Sequence, residues 1–526
     1  MLDSLTSGLV DLYGLALVSN VLSPNNNCTV FYIPLGFLMF SPLSQPLVFT
    51  DSVIANQPFV TKTFITVDNP ATEKLLTSVS CVDDAGIEHA VQSAELGFGT
   101  LKSMHSQARS DLLMRWYQLV IDYIDALAEI MTLEQGKPLA EAKGEVIYGA
   151  EFIRWFAEEC KRSYGQQIPS NNNHQQLSTI RQPIGVVLAI TPWNFPIAMI
   201  TRKVAPAIAA GCSVILKPSE LTPLSALALA HLAIRAGFPK GAFNVLLTDD
   251  APSLVSKLLA DHRVKKVTFT GSTQVGRILL AQAANTVKRT SMELGGNAPF
   301  IVFDSANLDQ AVDGLIKSKF RNAGQACVAT NRVLLDASIA GDFTAKLLTK
   351  VATLKTGNGL SNDTDLGPLI NQAAKLRLVA TIEQAICEGA SWVFGETAFA
   401  EAKCSKDNFL PVVVLGNINQ DMAIFQQELF GPVVLLSQFE SEQQAIELAN
   451  STEYGLAAYF YSQNINQVHR VAESLTFGMV GINEGLISNA IAPFGGIKQS
   501  GLGREGGQAG LDEYLQQKYL CLNIKD

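Results

Sequence analysis

Cys327 closes the stretch Arg-Asn-Ala-Gly-Gln-Ala-Cys at 321–327. Near neutral pH only a few per cent of a thiol is thiolate, but that thiolate is a strong nucleophile. To attack a carbonyl it needs a group that moves protons and a donor that holds the resulting oxyanion. Glu293, in Met-Glu-Leu-Gly-Gly (292–296), offers the first, and Asn194, in Thr-Pro-Trp-Asn-Phe-Pro (191–196), the second. A cysteine on its own is more often a small buried hydrophobe. The reading therefore rests on the three residues together.

Such residues must be brought to one place. Residues 185–190 (GVVLAI) form an all-apolar run, 213–217, 243–247 and 264–270 repeat the pattern with polar residues among them, and each is followed by a helical stretch. Strands buried on both faces read this way, and their alternation with helices implies a parallel sheet with crossover connections. Ligands bind at the carboxyl ends of such strands. Asn194, Lys217, Gly271 and Glu293 all fall there. A second alternation has strands at 299–303, 332–335, 411–415 and 433–436, with helices from about 309, 342, 371 and 442. The chain thus holds two Rossmann-like α/β units joined near 294–298. Ahead of them, apolar spacing of three and four predicts helices over 84–102, 109–134 and 140–161. Residues 163–169 and 177–183 read as a hairpin with a polar tip. The amphipathic stretch 505–526 suits a strand that pairs with another subunit.

Two loops have the chemistry of a dinucleotide site. In Lys217-Pro218-Ser219-Glu220, the lysine can bond ribose hydroxyls and Glu220 can accept from the 2′-hydroxyl. A carboxylate there repels a 2′-phosphate, which favours NAD over NADP. In Thr270-Gly271-Ser272-Thr273-Gln274-Val275-Gly276, glycine lets a pyrophosphate approach the free N–H groups of the next helix. Alone, each loop equally suits an ordinary strand-to-helix turn.

Bulk composition bounds the rest. At 526 residues the chain is too long for one core. Hydrophobic content of 48% and charged content of 17% describe a folded protein. The net charge of −9, with no dense basic run, excludes a nucleic-acid partner. Eight irregularly spaced cysteines suggest reduced thiols in a reducing compartment, not a disulfide framework. Six scattered histidines give no metal-ligand spacing, so no metal is expected. Residues 1–44 look foreign to the rest of the chain: no Lys or Arg precedes Lys62, and the apolar run 28–40 is too short to span a membrane. They are expected to be an unstructured leader, with Met39 a candidate start. A cytoplasmic protein is expected; the mitochondrial matrix is the alternative, which a leader without basic residues disfavours.

The three chemistry-bearing stretches resemble the aldehyde dehydrogenase superfamily, from about Asp68 to Tyr519. A narrower resemblance, to succinate-semialdehyde dehydrogenases, rests on 291–304 (SMELGGNAPFIVFD), 454–462 (YGLAAYFYS), 479–488 (MVGINEGLIS) and 493–505 (PFGGIKQSGLGRE). It implies an aldehyde dehydrogenase-like fold: an NAD-binding domain over 45–162 and 184–293, a catalytic domain over 294–504, and a small β oligomerisation element from 163–183 and 505–526. It implies that Cys327 attacks an aldehyde, that Asn194 and the Cys327 N–H hold the oxyanion, that hydride passes to the cofactor, and that Glu293 activates water against the thioester. The resemblance assigns the cofactor to Trp193, Lys217, Ser219, Glu220, Gly271, Ser272, Gly276, Glu428 and Phe430; Gln427 departs mildly from the family's acidic residue. It assigns a substrate carboxylate to Arg202, Arg321 and Ser488; the planar guanidiniums of the two arginines suit bidentate binding. If 195–203 are helical, Arg202 returns to the side of Asn194. Ala329 stands where some members carry a second cysteine, which removes that local disulfide switch. The implied activity is NAD(P)-dependent oxidation of succinate semialdehyde in 4-aminobutyrate degradation by a homodimer or homotetramer. Alternatives are glutarate semialdehyde, a broader aldehyde range, and a non-catalytic protein on the same fold.

Overall fold

The computed structural model describes residues 15–22, 28–34 and 39–524. An eight-stranded sheet organises the first α/β unit. Arg289–Glu293, Val264–Thr270, Val186–Ile190, Ser213–Lys217 and Phe243–Val245 lie side by side and parallel in that order. Val186–Ile190 and Ser213–Lys217 are buried at every position, which accounts for the unbroken apolar run of the first and the Val-Ile-Leu centre of the second. Ser52–Ile54 and Gln57–Phe59 extend one edge antiparallel, and Gly501–Leu502 extends the other. The helix Ala198–Ala210 is buried along its whole length. The helix Leu139–Glu159 approaches its start so closely that a Cβ on Gly149 would stand 2.9 Å from Ile197 Cγ2.

The second unit carries a seven-stranded sheet. Val413–Gly416, Val433–Phe439, Thr330–Asp336, Ala298–Val302, Ala457–Tyr461 and Met479–Ile482 run parallel, and Ser391–Phe394 adds an antiparallel edge. The architecture is the α/β fold that the strand and helix alternation predicts. Among the described residues no helix is long and apolar enough to cross a membrane.

Several expectations are corrected. The single helix over 109–134 is two, Ser106–Asp122 and Ile124–Gln135, parted at Tyr123, whose φ −105° and ψ 21° are not helical. The two halves serve different neighbours: Trp116 packs on Phe238 and Phe243, whereas Glu134 accepts the Leu224 and Ser225 N–H groups that open the helix Pro223–Arg235. Tertiary contacts thus override a periodicity that runs straight through. The C-terminal strand Leu515–Asn523 pairs with Gln175–Pro183 of its own chain and forms the outer edge of that small sheet. The helix Gly507–Asp512 turns the chain back onto it, and Asp512 is ion-paired with Arg181. Within 1–44, Leu15–Leu22 and Cys28–Pro34 form an antiparallel pair, so the leader is not wholly irregular. Residues 1–14, 23–27 and 35–38 lie outside the described residues.

The leader's boundary also moves. Phe40, Ser44 and Leu47 are buried in the first unit's core, and the Ser41 N–H donates to Glu129 Oε1 at 2.8 Å. A chain beginning at Met39 should therefore keep the core intact, whereas Phe40→Ala opens a cavity costing about 3–5 kcal/mol. Thermal unfolding of both checks this. An unchanged midpoint for Phe40→Ala, or a collapsed one for the shortened chain, contradicts it.

Candidate active site

The loop before Cys327 has an unusual backbone. Asn322, Ala323 and Gly324 take φ values of 54°, 52° and 77°, a left-handed run in which each non-glycine residue costs on the order of 1–3 kcal/mol. Polar contacts from other segments hold it. The Asn322 side chain donates to the Asn194 carbonyl at 2.9 Å and accepts from Gln135 at 2.9 Å, while its backbone N–H donates to Glu141 at 2.8 Å. Gln325 donates to the Pro368 carbonyl and accepts from the Ile370 N–H at 3.0 Å. A Cβ on Gly324 would stand 2.2 Å from the Gly431 carbonyl oxygen, so only glycine seats the loop there.

Asn194 is placed from the opposite side. Lys137 donates to its carbonyl at 2.8 Å, lies 4.1 Å from the Phe195 ring centre, and is ion-paired with Glu145. Glu145 in turn accepts the Ile197 and Ala198 N–H groups that open the next helix, at 2.9 and 3.2 Å. That helix begins at Ala198, so 195–197 are not helical as expected. Asn194 Nδ2 donates to the Gln325 carbonyl at 3.1 Å and borders a cleft of about 700 Å³ that Cys327 also lines.

The cleft fits a dinucleotide. Its walls include Trp193, Gly271, Ser272, Gln274, Glu428 and Phe430. Ser272 caps the twelve-residue helix Thr273–Ala284, whose first N–H groups face the glycine turn, and the buried Thr270 Oγ1 has no protein partner. A Cβ on Gly276 would stand 2.4 Å from Leu294, and one on Gly295 would stand 2.7 Å from Glu428 Oε2. Glu428 accepts the Gly296 N–H at 3.0 Å, and burial lifts its carboxyl to about 7. Its loop is fixed by Asn297, which donates to the Phe425 and Gln427 carbonyls and is gripped by the buried Arg332 guanidinium at 2.7 Å. Trp193 meets Phe430 edge-on at 5.6 Å. Lys217, Ser219 and Glu220 stand at the end of a neighbouring strand, outside this lining, with Lys217 and Glu220 paired at 2.8 Å.

Glu293 ends its strand buried behind the cleft, and neither carboxylate oxygen has a hydrogen-bond partner. Burial and then Glu505 raise its pKa well above the usual carboxylate range; Arg202, Lys203 and Arg504 oppose this. Burial, then Glu428, pushes the Cys327 thiol up to about 12, against Arg202. Glu505 itself holds Arg202 through Nε at 2.7 Å and is paired with Lys203. Arg202 is 1% exposed and packs between Phe494 at 4.1 Å and Phe152 at 5.0 Å.

Arg202 and Arg321 do not share a cavity in this structure. Arg321 and Ser488 line a second one, of about 480 Å³, with Tyr148, Phe320 and Leu486; Arg202 borders neither cavity. The Arg321 guanidinium lies 4.6 Å from the Phe195 ring centre and 5.6 Å from that of Tyr148. Residues missed from sequence include Lys137, Glu145, Lys203, Glu505 and Arg377, the last of which lines the first cleft. Glu505 falls inside the PFGGIKQSGLGRE run, which was the one available signal.

A cysteine, a carboxamide and a buried carboxylate set around a dinucleotide-shaped cleft on two α/β units define a nucleotide-dependent oxidoreductase of carbonyl compounds. The profile described as "Aldehyde dehydrogenase family" matches residues 58–520. The chain is 48% identical to a glutarate-semialdehyde dehydrogenase of Pseudomonas putida, covering 88% of this chain and 94% of that protein. It is also 48% identical to an NADP(+) succinate-semialdehyde dehydrogenase of Escherichia coli, with the same coverage of each. The crystal structure of a succinate-semialdehyde dehydrogenase from Burkholderia pseudomallei superposes with TM-score 0.89 at 46% identity, over 92% of this chain and 99% of the other. This chain belongs to the aldehyde dehydrogenase family.

The charges around Glu293 set a pH dependence with a definite sign. A base at Glu293 would act when ionised, so turnover would rise with pH through its pKa. Glu505→Gln removes a raising influence and leaves Arg202 and Lys203, which both lower it, less neutralised. The acidic limb of kcat should therefore move to lower pH. A pH–rate profile showing an upward shift contradicts this reading.

Proposed function

We propose that this protein oxidises succinate semialdehyde to succinate with NAD, through a thioester on Cys327. What supports this best is that one loop carries both Cys327, in the dinucleotide cleft, and Arg321, which with Lys317 brings positive charge to a separate cavity. The free thiol is held protonated, so its proton passes to the Glu293 carboxylate as sulfur bonds the aldehyde carbon. The carbonyl oxygen becomes anionic and takes hydrogen bonds from Asn194 Nδ2 and the Cys327 N–H; losing one such donor costs roughly 3–4 kcal/mol. When bound, the dinucleotide supplies the two-electron acceptor that makes the thioester attainable. Glu293 releases its first proton, then takes one from the water that adds to the thioester carbon. The C–S bond breaks as Glu293 returns that proton to sulfur, and succinate leaves the restored thiol.

Arg321 and Ser488 take the far carboxylate from the second cavity, and Arg202 adds positive charge from behind the site. A glutarate semialdehyde is the second reading, favoured by the Pseudomonas relative, because one methylene is worth only about 1–3 kcal/mol in discrimination. Glu220, beside Lys217, favours NAD over NADP. The chain works as a homodimer or homotetramer: Tyr519, Leu520 and Leu522 stand exposed on the outer strand of the small three-stranded sheet, as an intersubunit surface requires. The exposed, unpaired Cys387 and Cys404 suit a reducing, cytoplasmic setting.

Purified protein mixed with NAD and succinate semialdehyde should generate NADH absorbance. Cys327→Ala should abolish it while retaining NAD binding. Glu293→Gln should suppress the NADH burst as well as sustained turnover, because both the thiol proton and the water proton pass to that carboxylate; a normal steady state in either variant overturns its assigned role. Catalytic efficiency should be higher with NAD than with NADP, and Glu220→Ala should narrow that gap. Equal efficiencies in the unaltered protein contradict the role given to Glu220.

A further inference from the structure

The second cavity contains a donor that the reading above does not use. Glu141, Gly144, Glu145 and Tyr148 line it from one face of the helix Leu139–Glu159, at the three- and four-residue spacing that keeps side chains on one side. Gly144 leaves open space there, since a Cβ on it would meet nothing within 4 Å. The three carboxylates of the lining are already engaged: Glu145 by Lys137 and two helix N–H groups, Glu141 by the Asn322 N–H, and Asp365 by the Lys355 N–H. Tyr148 is different. Its hydroxyl is buried and has no hydrogen-bond partner among the described residues. Leaving such a group unmet costs the full desolvation of the hydroxyl, a penalty that a bound acceptor removes.

Two cations flank it. The Arg321 guanidinium rests 5.6 Å from the Tyr148 ring centre, and Tyr148 is among the groups that act electrostatically on Arg202. Arg202 Nη2 is likewise buried without a partner. Phe152 meets the Tyr148 ring edge-on at 5.1 Å, which packs the ring from one side. Resting on the proposed semialdehyde reading, we infer that Tyr148 is a specificity-determining residue whose hydroxyl donates to the carboxylate of an ω-carboxy aldehyde held by Arg321. Its ring also keeps the Arg321 guanidinium in place, so hydroxyl and ring have separable roles.

Tyr148→Phe removes only the hydroxyl. The readout is the ratio of kcat/KM for succinate semialdehyde to that for butanal. It should fall at least ~10-fold, the loss of a hydrogen bond to a charged group. Tyr148→Ala, which also frees Arg321, should lower it further. Arg321→Ala is run alongside. If Arg321→Ala lowers the ratio and Tyr148→Phe does not, the role of Tyr148 is overturned and the semialdehyde reading stands. If Tyr148→Phe lowers both efficiencies by one factor, the hydroxyl is structural and the inference fails. If Arg321→Ala also leaves the ratio unchanged, the substrate reading itself fails.

Discussion

Asn322 adopts a left-handed backbone at φ 54°, and its amide and N–H reach three other segments. Through it, Gln135 and Glu141 of the first unit, the Asn194 turn and the catalytic loop are tied at one point. The constraint is reciprocal. Without those partners a left-handed Asn-Ala pair has no reason to persist. Without the loop's geometry, Gln135 and the Asn194 carbonyl would lose buried partners, each an expensive loss in a low-dielectric interior. The relative position of sulfur and carboxamide follows from this junction between the two α/β units, more than from either unit alone.

Behind the junction lies a buried cluster of alternating charge. Glu505 faces Arg202 and Lys203, and Glu293 stands beside all three. Buried ion pairs of this kind add little net stability, because desolvation offsets most of the attraction. Their effect here is on chemistry. A carboxylate with a raised pKa is a better proton acceptor than an exposed glutamate, and Glu293 acts electrostatically on the Cys327 thiol, itself pushed up to about 12. Glu505 comes from the stretch after Gly501–Leu502, which pairs with the very strand that ends at Glu293. The C-terminal return thus tunes the base as well as completing the sheet.

Much of this is legible in the chain. The parallel core strands announce themselves because burial on both faces demands continuous apolar runs, and the chemistry-bearing loops fall at their ends. Asn194, Cys327 and Glu428 stand out because each lies in a short run whose other residues are also constrained. Lys137 and Glu145 do not, since a buried ion pair on an amphipathic helix has the same spacing as solvated charges. Nor does spacing foresee the break at Tyr123, which is decided by partners roughly a hundred residues away. Arg202 shows the limit most clearly. Counting helical turns from Asn194 assumes a helix through 195–197, but Glu145 caps that helix only from Ile197 onward.

The separation of the two cavities bears on how selectivity arises. Phe195, Ala198, Met199, Ala326 and Ala329 form a small apolar cluster against which Tyr148 packs. Arg321 lies over Phe195, and Asn194 immediately precedes it, so the apolar cluster stands where the carbonyl end and the carboxylate end of a short substrate are kept apart. The distance between these ends is set by packed side chains and not by flexible loops. Packed interiors adjust poorly to changes of even one methylene, so chain-length preference should reside in this cluster, whereas a requirement for an anion would reside in the donors beyond it. The two properties are therefore separable: volume changes at Met199 or Ala326 would alter which semialdehyde fits, and loss of Arg321 would alter whether a carboxylate is needed at all.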